Sequence, residues 1–141
     1  MEGVHYEEVE RDGKAKTRRY PIGTYALVKS ESGKRFLLVA LTHTDPKTHE
    51  TTSDYEDLTR TIECALVGAR QYANGMPVSF PVMGGRNAKI NLPHQILFNA
   101  LLSGIVAESN KRRVSEQINI VLYGKDFGLM NLTNLQEQWR S

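Results

Sequence analysis

The chain has 141 residues, of which 40% are hydrophobic and 24% are charged. This length and composition predict one globular domain and exclude a chain that is mainly disordered. The longest apolar run, Phe36 to Leu41, is far shorter than the roughly 18 residues typical of a membrane span. The balance of 18 basic and 16 acidic residues does not indicate a nucleic-acid-binding protein, in which basic residues concentrate on one surface. A single cysteine, Cys64, excludes an internal disulfide.

The amino-terminal region is polar and contains a short basic stretch. Residues Val4 to Glu10 alternate loosely before the turn signal Asp12-Gly13, a pattern that favours a hairpin. Five bases and one acid lie between Arg11 and Arg19, and short runs of this kind are typical of solvated surface. We therefore divide the chain into an amino-terminal extension or hairpin, residues 1–19, and one ligand-binding domain, residues 20–141.

Two apolar runs then flank a turn that contains a glycine. Thr24 to Ser30 and Arg35 to Thr42 lie on either side of residues 31–34, which predicts an antiparallel pair of strands. Because the second run is apolar almost throughout, we expect it to be a central strand.

A polar segment, Thr42 to Ser53, leads from this strand to the first helix. Ser53 and Glu56 have the spacing of a capping box, in which a cap side chain and a residue three positions later bond each other's backbone. The helix ends at Asn74-Gly75, which are common carboxyl-terminal caps. Its apolar residues recur at three- and four-residue steps: Tyr55, Leu58, Ile62, Ala65, Leu66, Ala69 and Tyr72.

The rest of the chain alternates between strands and helices. Met76 to Val82 and Gln117 to Tyr123 are predicted strands, and a mostly apolar helix begins between them near Asn91 or Leu92. A turn is predicted from Gly124 to Gly128. A short terminal helix is marked by Leu132, Leu135 and Trp139.

Alternating strands and helices predict an α/β fold, a mixed sheet with parallel central strands flanked by helices. Ligands in such folds bind beyond the carboxyl ends of the strands. Three loops should meet at that edge: Thr42 to Ser53, Met83 to Asn91, and Tyr123 to Gly128.

The second of these loops has the composition of a phosphate-binding turn. Gly84-Gly85-Arg86-Asn87 precedes a helix amino terminus, where free N–H groups and the helix dipole favour an anion. The spacing matches neither common phosphate-binding fingerprint, so a plain tight turn is an equal alternative. Arg86 could clamp a phosphate or be solvated, and Tyr123 could stack on a base or be half-buried at a strand end.

The first loop is rich in hydroxyl groups and also contains His43, Asp45, His49 and Glu50. A metal site from the two histidines is possible, but their spacing is not one that metal ligands usually have. No serine sits in a nucleophile elbow, so a hydrolytic triad has no support either. Cys64 has no motif around it and is interpreted as a packed, unreactive thiol.

Four segments, in this order and spacing, resemble the macro domain, in the divergent branch found in effectors of the Thoeris anti-phage system. They are residues 20–24 (YPIGT), Phe36 to Thr42, residues 81–86 (PVMGGR) and residues 120–124 (IVLYG), and the match covers most of the chain. The resemblance implies a three-layer fold that binds ADP-ribose or a derivative across the strand ends. The ligand-binding residues that we predict are Ile22, Gly23, Thr24, Thr42, His43, Thr44, Asp45, Ser53, Met83, Gly84, Gly85, Arg86, Asn87, Ala88 and Tyr123.

The resemblance also implies a role for each segment. Ile22 to Thr24 match the place where macro domains hold adenine, and Thr42 to Thr44 match the start of the first ligand loop. Met83 to Ala88 match the phosphate loop, and Tyr123 matches a residue near the adenine or the distal ribose. The chain departs from ordinary macro domains in two ways: it lacks the asparagine pair and glycine run of the first loop, and the usual glycine spacing of the second.

These departures disfavour hydrolysis of ADP-ribosyl bonds, so the resemblance implies a sensor without catalysis, cofactor or metal. Its ligand would be an ADP-ribose conjugated to an amino acid such as histidine, made by a partner TIR-domain enzyme. An ADP-ribosyl hydrolase and a module that binds nucleic acid or poly-ADP-ribose remain alternatives; the leading hypothesis involves no nucleic acid.

In the resembling effectors the domain follows membrane-spanning helices. We therefore expect the chain to be the cytoplasmic sensory end of a longer protein anchored in the bacterial inner membrane, with oligomerisation driven by ligand as a further possibility. The loop Thr42 to Ser53 is expected to be mobile when empty and to order on binding, with Asp45 or Glu50 facing an ammonium group.

Overall fold

A computed structural model describes residues 6–8, 18–85 and 90–127, together with Thr133. The predicted terminal helix at Leu132, Leu135 and Trp139 lies outside these residues. The described elements, in chain order, are β1 (Glu7–Glu8), β2 (Arg18–Arg19), β3 (Tyr25–Lys29), β4 (Arg35–Val39), β5 (His43–Thr44), β6 (Thr51–Thr52), α1 (Tyr55–Tyr72), β7 (Val78–Pro81), α2 (His94–Lys111), β8 (Ile118–Val121) and α3 (Gly124–Phe127).

Helix α1 has a capping box, but one residue later than predicted. The carboxylate of Asp54 accepts from the Asp57 backbone N–H at 2.8 Å, and the Asp57 carboxylate accepts from the Asp54 N–H at 3.2 Å. The Ser53 hydroxyl donates instead to the Leu41 carbonyl, at 3.0 Å. The predicted end of the helix is confirmed, because Asn74 and Gly75 both have positive φ, 51° and 79°.

The core lies where α1 and α2 pack together. Leu58, Ile62 and Leu66 of α1 are fully buried, as are Leu97 and Leu101 of α2. The helices approach closely at Gly104, where a Cβ would lie 2.5 Å from Cγ2 of Ile62. The close approach therefore requires a glycine at this position of α2.

Arg70 joins α1 to the carboxyl end of α2. Its Nη2 donates to the carbonyls of Glu108 and Arg112, both at 2.9 Å, and lies 3.4 Å from Oε2 of Glu108. Glu108 also accepts from Lys111 Nζ at 2.9 Å. The carboxyl end of α2 is thus held to α1 through its last carbonyls as well as through the Glu108 carboxylate.

The predicted hairpin of β3 and β4 is confirmed, with Leu27 opposite Leu37 and Val28 opposite Phe36. One face packs on α1, where Leu37 and Tyr25 contact Gly68. The expectation that β4 is a central strand is wrong: among the described strands it pairs with β3 alone, and Phe36 and Leu38 are 52% and 59% exposed. Only the alternate residues Leu37 and Val39 face the helix, and no other described element covers the opposite face.

Strands β7 and β8 are parallel, with Pro81 opposite Val121. Phe80, Ile118 and Ile120 turn towards the helices and join the core. The α/β class is therefore confirmed. A single mixed sheet with parallel central strands is not: the described strands form four separate pairs, and only β7–β8 is parallel. Where a turn was predicted after β8, the chain forms the short helix α3.

The amino-terminal hairpin prediction agrees with the antiparallel pairing of β1 and β2, in which Glu7 faces Arg19 and Glu8 faces Arg18. The boundary that we placed after residue 19 stays a prediction. Within the described part of the chain, neither long helix is apolar enough over its length to cross a bilayer.

Candidate ligand-binding edge

The parallel register of β7 and β8 places two predicted ligand segments at one edge. Because Pro81 pairs with Val121, the residues that follow each strand leave the pair side by side. These are Val82 to Gly85 after β7 and Leu122 to Tyr123 after β8. The Tyr123 side chain is 82% exposed, an unusual position for a large aromatic ring and one that leaves it accessible to a ligand.

A third segment joins this region through the start of β3 and the end of β4. The Gly23 N–H donates to the Ala40 carbonyl and the Ala40 N–H to the Thr24 carbonyl, both at 2.8 Å. Ile22, Gly23 and Thr24 therefore lie beside the chain that continues into Thr42 and His43. The family resemblance assigns both groups of residues to the ligand site, and that assignment stays a prediction.

Gly23 rests on the thiol of Cys64 in α1. Its φ is +86°, a conformation that favours glycine, and a Cβ would lie only 2.6 Å from Cys64 Sγ. Burial is the main cause that raises the pKa of the Cys64 thiol above its ordinary value. The thiol therefore stays protonated at neutral pH and is a packing group, in agreement with the sequence interpretation.

The segment Thr42 to Ser53 was expected to be an irregular loop, and this is wrong. It forms a small hairpin, in which His43 pairs with Thr52 and Thr44 with Thr51. The Asp45 N–H donates to the Glu50 carbonyl at 2.8 Å and closes the turn. The Ser53 hydroxyl fastens the base of this hairpin to Leu41, as described above, and is not directed to a ligand in this arrangement.

The carboxylate of Asp45 holds the tip of this hairpin. Its Oδ1 accepts from the N–H groups of Lys47 and Thr48, both at 2.8 Å. These bonds, that from Thr48 first, hold the pKa of Asp45 below its ordinary value. In the structure the carboxylate thus stabilises a turn. The proposed contact of Asp45 or Glu50 with an ammonium group stays a prediction.

His43 has a partner that the sequence did not reveal. Nε of Arg19 donates to Nδ1 of His43 at 3.2 Å, and Nη1 of Arg19 lies 3.4 Å from Oε1 of Glu7. A small cavity of about 150 Å³ lies here, lined by Glu7, Arg19, Tyr20, Pro21 and His43. The only signal in the sequence was a base directly before Tyr20, the first residue of the segment that carries the family resemblance.

His43 and His49 lie on β5 and in the turn that follows it, and His49 has a φ of +60°. Among the described residues, no three side chains of the metal-ligating types form a cluster. The expectation that the protein needs no metal stays untested by this observation.

The two glycines after β7 have different surroundings. A Cβ on Gly84, whose φ is +91°, would lie 3.0 Å from Leu97, 3.1 Å from Ile90 and 3.4 Å from Leu58. A Cβ on Gly85 would meet only the His94 ring, at 4.0 Å. Gly84 is thus required for packing on the core, whereas Gly85 presents open backbone near the start of α2. Met83 is half-buried against the core, and Arg86, Asn87 and Ala88 lie outside the described residues.

The amino terminus of α2 suits an anion. Its cap residue is Pro93, which makes no side-chain hydrogen bond to the helix, and its first turn has no acidic residue. Helix amino termini carry a partial positive charge that attracts phosphate and carboxylate groups. Gly85 approaches this end at His94, so a bound phosphate could meet both the helix and the open backbone of the loop.

A larger cavity lies elsewhere. It is a groove of about 300 Å³ between α1 and α2, and its lining contains none of the predicted ligand-binding residues. Glu108, one of its charged groups, is already paired with Arg70 and Lys111. The loop edge, with its glycines and exposed tyrosine, is therefore the better candidate site.

The family model described as Thoeris protein ThsA, Macro domain, matches residues 2–123. No curated protein matches the chain. The matched range includes every predicted ligand-binding residue, and Tyr123 is its last position.

Proposed function

The chain belongs to the macro domain family of the Thoeris protein ThsA, and on this premise we propose that its loop edge binds an ADP-ribose-derived signal without turning it over. One observation carries the proposal: Gly23 and Gly84, which belong to the segments that resemble the adenine and phosphate positions of macro domains, both pack on α1, and the residues that follow β7 and β8, Tyr123 among them, leave that parallel pair side by side.

The phosphate end of the ligand is assigned to Gly85 and the start of α2. Open backbone at Gly85 allows close approach, and the helix terminus supplies the favourable potential. We propose Arg86, Asn87 and Ala88 as the continuation of this phosphate loop, with the Arg86 guanidinium as a bidentate partner.

The base end is assigned to the segment Ile22 to Thr24. Ile22 is buried and Gly23 has no side chain, so the backbone here can lie against a flat ring. Tyr123 offers an exposed aromatic face for stacking on the adenine or covering the distal ribose.

Two side chains support binding over catalysis. Cys64 is half-buried under Gly23, its pKa is raised, mainly by this partial burial, and it is therefore a poor nucleophile. Asp45 is the acid nearest to the predicted first ligand loop, and both of its close hydrogen bonds go to its own turn. An acid engaged in this way, with a lowered pKa, is poorly suited to donate or accept a proton in catalysis.

We propose that the natural signal carries an amino acid such as histidine on the ADP-ribose and comes from a TIR-domain enzyme. Its binding would activate an effector located in an upstream part of a longer, membrane-anchored protein, through oligomerisation of the ligand-bound domain. A ligand changes such an equilibrium only if it binds the two states with different affinities.

Calorimetric titration with ADP-ribose and with histidine-linked ADP-ribose tests the proposal. We expect saturable one-to-one binding of at least one compound, and recovery of the ligand unchanged by chromatography after long incubation. Release of free ADP-ribose from the conjugate would favour the hydrolase instead. Affinity for oligonucleotides that falls steeply with salt, without affinity for ADP-ribose, would favour nucleic-acid binding.

A further inference from the structure

Basic residues collect at the end of the domain where α1 and α2 terminate. The turn of the β3–β4 hairpin lies there, because Nη1 of Arg35 donates to the carbonyl of Tyr72, the last residue of α1, at 2.8 Å. The loop after α2 lies there too, because the Glu116 N–H donates to the Gly75 carbonyl at 2.8 Å. The basic end is the name we give to residues 29–35, 73–77 and 111–117 together.

The exposed charges of the basic end are mostly positive. Its acids are Glu31 and Glu116, and its bases, all of them exposed, are Lys29, Lys34, Arg35, Lys111, Arg112 and Arg113. Lys111 shares the buried carboxylate of Glu108 with Arg70, so this ion pair does not neutralise the excess. The even charge balance of the whole chain therefore hides a concentrated positive surface.

The opposite end of α1 has the reverse charge. Asp54 and Glu56 lie at its start, and Asp45 and Glu50 lie in the β5–β6 hairpin, which ends just before the helix cap. A helix of 18 residues is about 27 Å long, more than three times the ~8 Å Debye length at physiological ionic strength. Each end of the helix therefore presents its own charge to a surface, and an anionic surface attracts only one of them.

An exposed methionine lies in the middle segment of the basic end. Met76 is 58% exposed and follows Asn74 and Gly75, whose positive φ angles turn the chain sharply. Its backbone is held on both sides, because its N–H donates to the Ala73 carbonyl at 3.0 Å and its carbonyl accepts from the Ser115 hydroxyl. The loop therefore presents an apolar side chain to solvent from a fixed backbone.

We propose that the basic end docks on the surface of a bilayer that contains anionic lipid. The bases face the lipid phosphates, and each base near such a surface raises the affinity roughly fivefold. Met76 and Pro77 enter the headgroup layer, where burial of apolar surface adds to the attraction between charges. Nucleic acid also attracts bases, but its hydrated phosphate backbone offers no apolar layer to Met76. The start of α1 then faces away from the membrane, together with Gly84, which packs on Leu58.

Co-sedimentation of the full chain with vesicles tests the charge requirement. We expect binding to vesicles of equal parts phosphatidylcholine and phosphatidylglycerol, weakened by salt, and none to phosphatidylcholine alone. Lys34→Gln combined with Arg112→Gln should reduce the affinity by roughly tenfold or more. Lys47→Gln combined with Arg60→Gln removes the same charge from exposed positions outside the basic end and should leave the affinity nearly unchanged. Equal losses in the two double variants, or equal binding to both kinds of vesicle, would overturn the proposal.

A fluorescent reporter separates a membrane from a nucleic acid. In a Cys64→Ser background, an environment-sensitive dye on Met76→Cys should brighten and shift to the blue when the anionic vesicles are added, and the same dye on Lys47→Cys should not. A duplex oligonucleotide at the same phosphate concentration should shift neither dye. Oligonucleotide binding without vesicle binding would assign the basic end to nucleic acid, and equal shifts of both dyes would show that docking does not use this end. Either result would contradict the proposal.

Discussion

Arg19 and His43 form a hydrogen bond that joins the amino-terminal strand pair to the first ligand hairpin. Nε of Arg19 can only donate, so Nδ1 of His43 accepts at 3.2 Å and carries no proton in this arrangement. Arg19 also pairs with Glu7 of β1. A displacement of β5 is therefore transmitted to β1 and β2, the described elements nearest to the amino terminus.

Arg19→Ala should weaken ADP-ribose binding by roughly fivefold, because one hydrogen bond to a charged group contributes about 1 kcal/mol when it is partly solvated. Arg18→Ala is the control, since Arg18 lies on the same strand but its side chain is directed to Glu8, at 3.9 Å, to the Tyr6 ring and to Tyr20. Calorimetry measures both affinities. An equal change in the two variants would exclude a specific role for the Arg19–His43 bond.

Gly23→Ala should destabilise the fold by about 2 kcal/mol or more. The left-handed backbone costs a residue with a Cβ roughly 1–2 kcal/mol, and overlap with Cys64 Sγ adds to this cost. Adding Cys64→Ala to the Gly23→Ala variant should remove the steric overlap but not the backbone strain. Urea unfolding of the two single variants and the double variant measures the coupling, and strictly additive effects would disprove the contact.

Substitutions at the paired glycines should separate folding from binding. Gly84→Ala should lower the free energy of unfolding by about 1–3 kcal/mol, because a positive φ and three core side chains oppose the new methyl group. Gly85→Ala should leave stability unchanged. Gly85→Asp should fold normally but weaken ADP-ribose binding by more than about tenfold, through charge repulsion of the phosphates. If the Gly85→Asp variant binds ADP-ribose with unchanged affinity, the phosphates do not bind at Gly85.

Tyr123→Ala should reduce ADP-ribose affinity without changing stability, because the ring makes little contact with the folded protein. Stacking of a base on an aromatic side chain contributes about 1–3 kcal/mol, which corresponds to a loss of roughly fivefold to a hundredfold. Tyr123→Phe keeps the ring and should keep most of the affinity. If the phenylalanine and alanine variants bind equally weakly, the hydroxyl and not the ring is the contact.

Glu108 should make the fold sensitive to acid. The hydrogen bond from Lys111 is the largest cause that holds the pKa of Glu108 below its ordinary value of 4.5, and Arg70 adds to it against the effect of burial. A lowered folded-state pKa means that the stabilisation is complete above the unfolded value and is lost as pH falls through the folded value. Unfolding free energies measured from neutral pH to below pH 4.5 should therefore decline less in Glu108→Gln.

Arg70→Ala should cost about 1.5–3 kcal/mol, since it removes one of the two cationic partners of the buried Glu108 carboxylate and the side-chain donor to the carbonyls of Glu108 and Arg112. Lys111→Ala should have a much smaller effect, because the Lys111 side chain is largely exposed. The same urea measurements at neutral pH compare the two variants. A larger loss of stability in Lys111→Ala than in Arg70→Ala would show that Lys111 is the more important partner of Glu108.

The elements with strong local patterns could be predicted from the sequence. Helix α1 has an apolar stripe and glycine termination, and the β3–β4 hairpin has apolar runs on either side of a turn. The α1 cap was misplaced because Ser53 and Asp54 both have capping side chains, and only the bond from Ser53 to Leu41 decides between them.

Features that depend on tertiary contacts could not be predicted. The hairpin of β5 and β6 has two-residue polar strands and so no hydrophobic alternation to detect. The exposure of Phe36 and Leu38 depends on whether an element covers the second face of β4, which an apolar run does not reveal. Of the site, the grouping of Ile22 to Thr24 with Thr42 was predicted, but the bond between Arg19 and His43 joins residues 24 positions apart.

Two ligand segments rest on the same helix, and this sets a fixed spacing for recognition. Gly23 lies on Cys64 and Gly84 lies against Leu58, six residues apart on α1. A helix rises 1.5 Å per residue, so the two supports are about 9 Å apart along a rod that does not stretch. If both segments bind the proposed ligand, we expect the domain to select ligands by length: a molecule whose recognised ends are closer or farther apart than this spacing allows should reach one segment but not both.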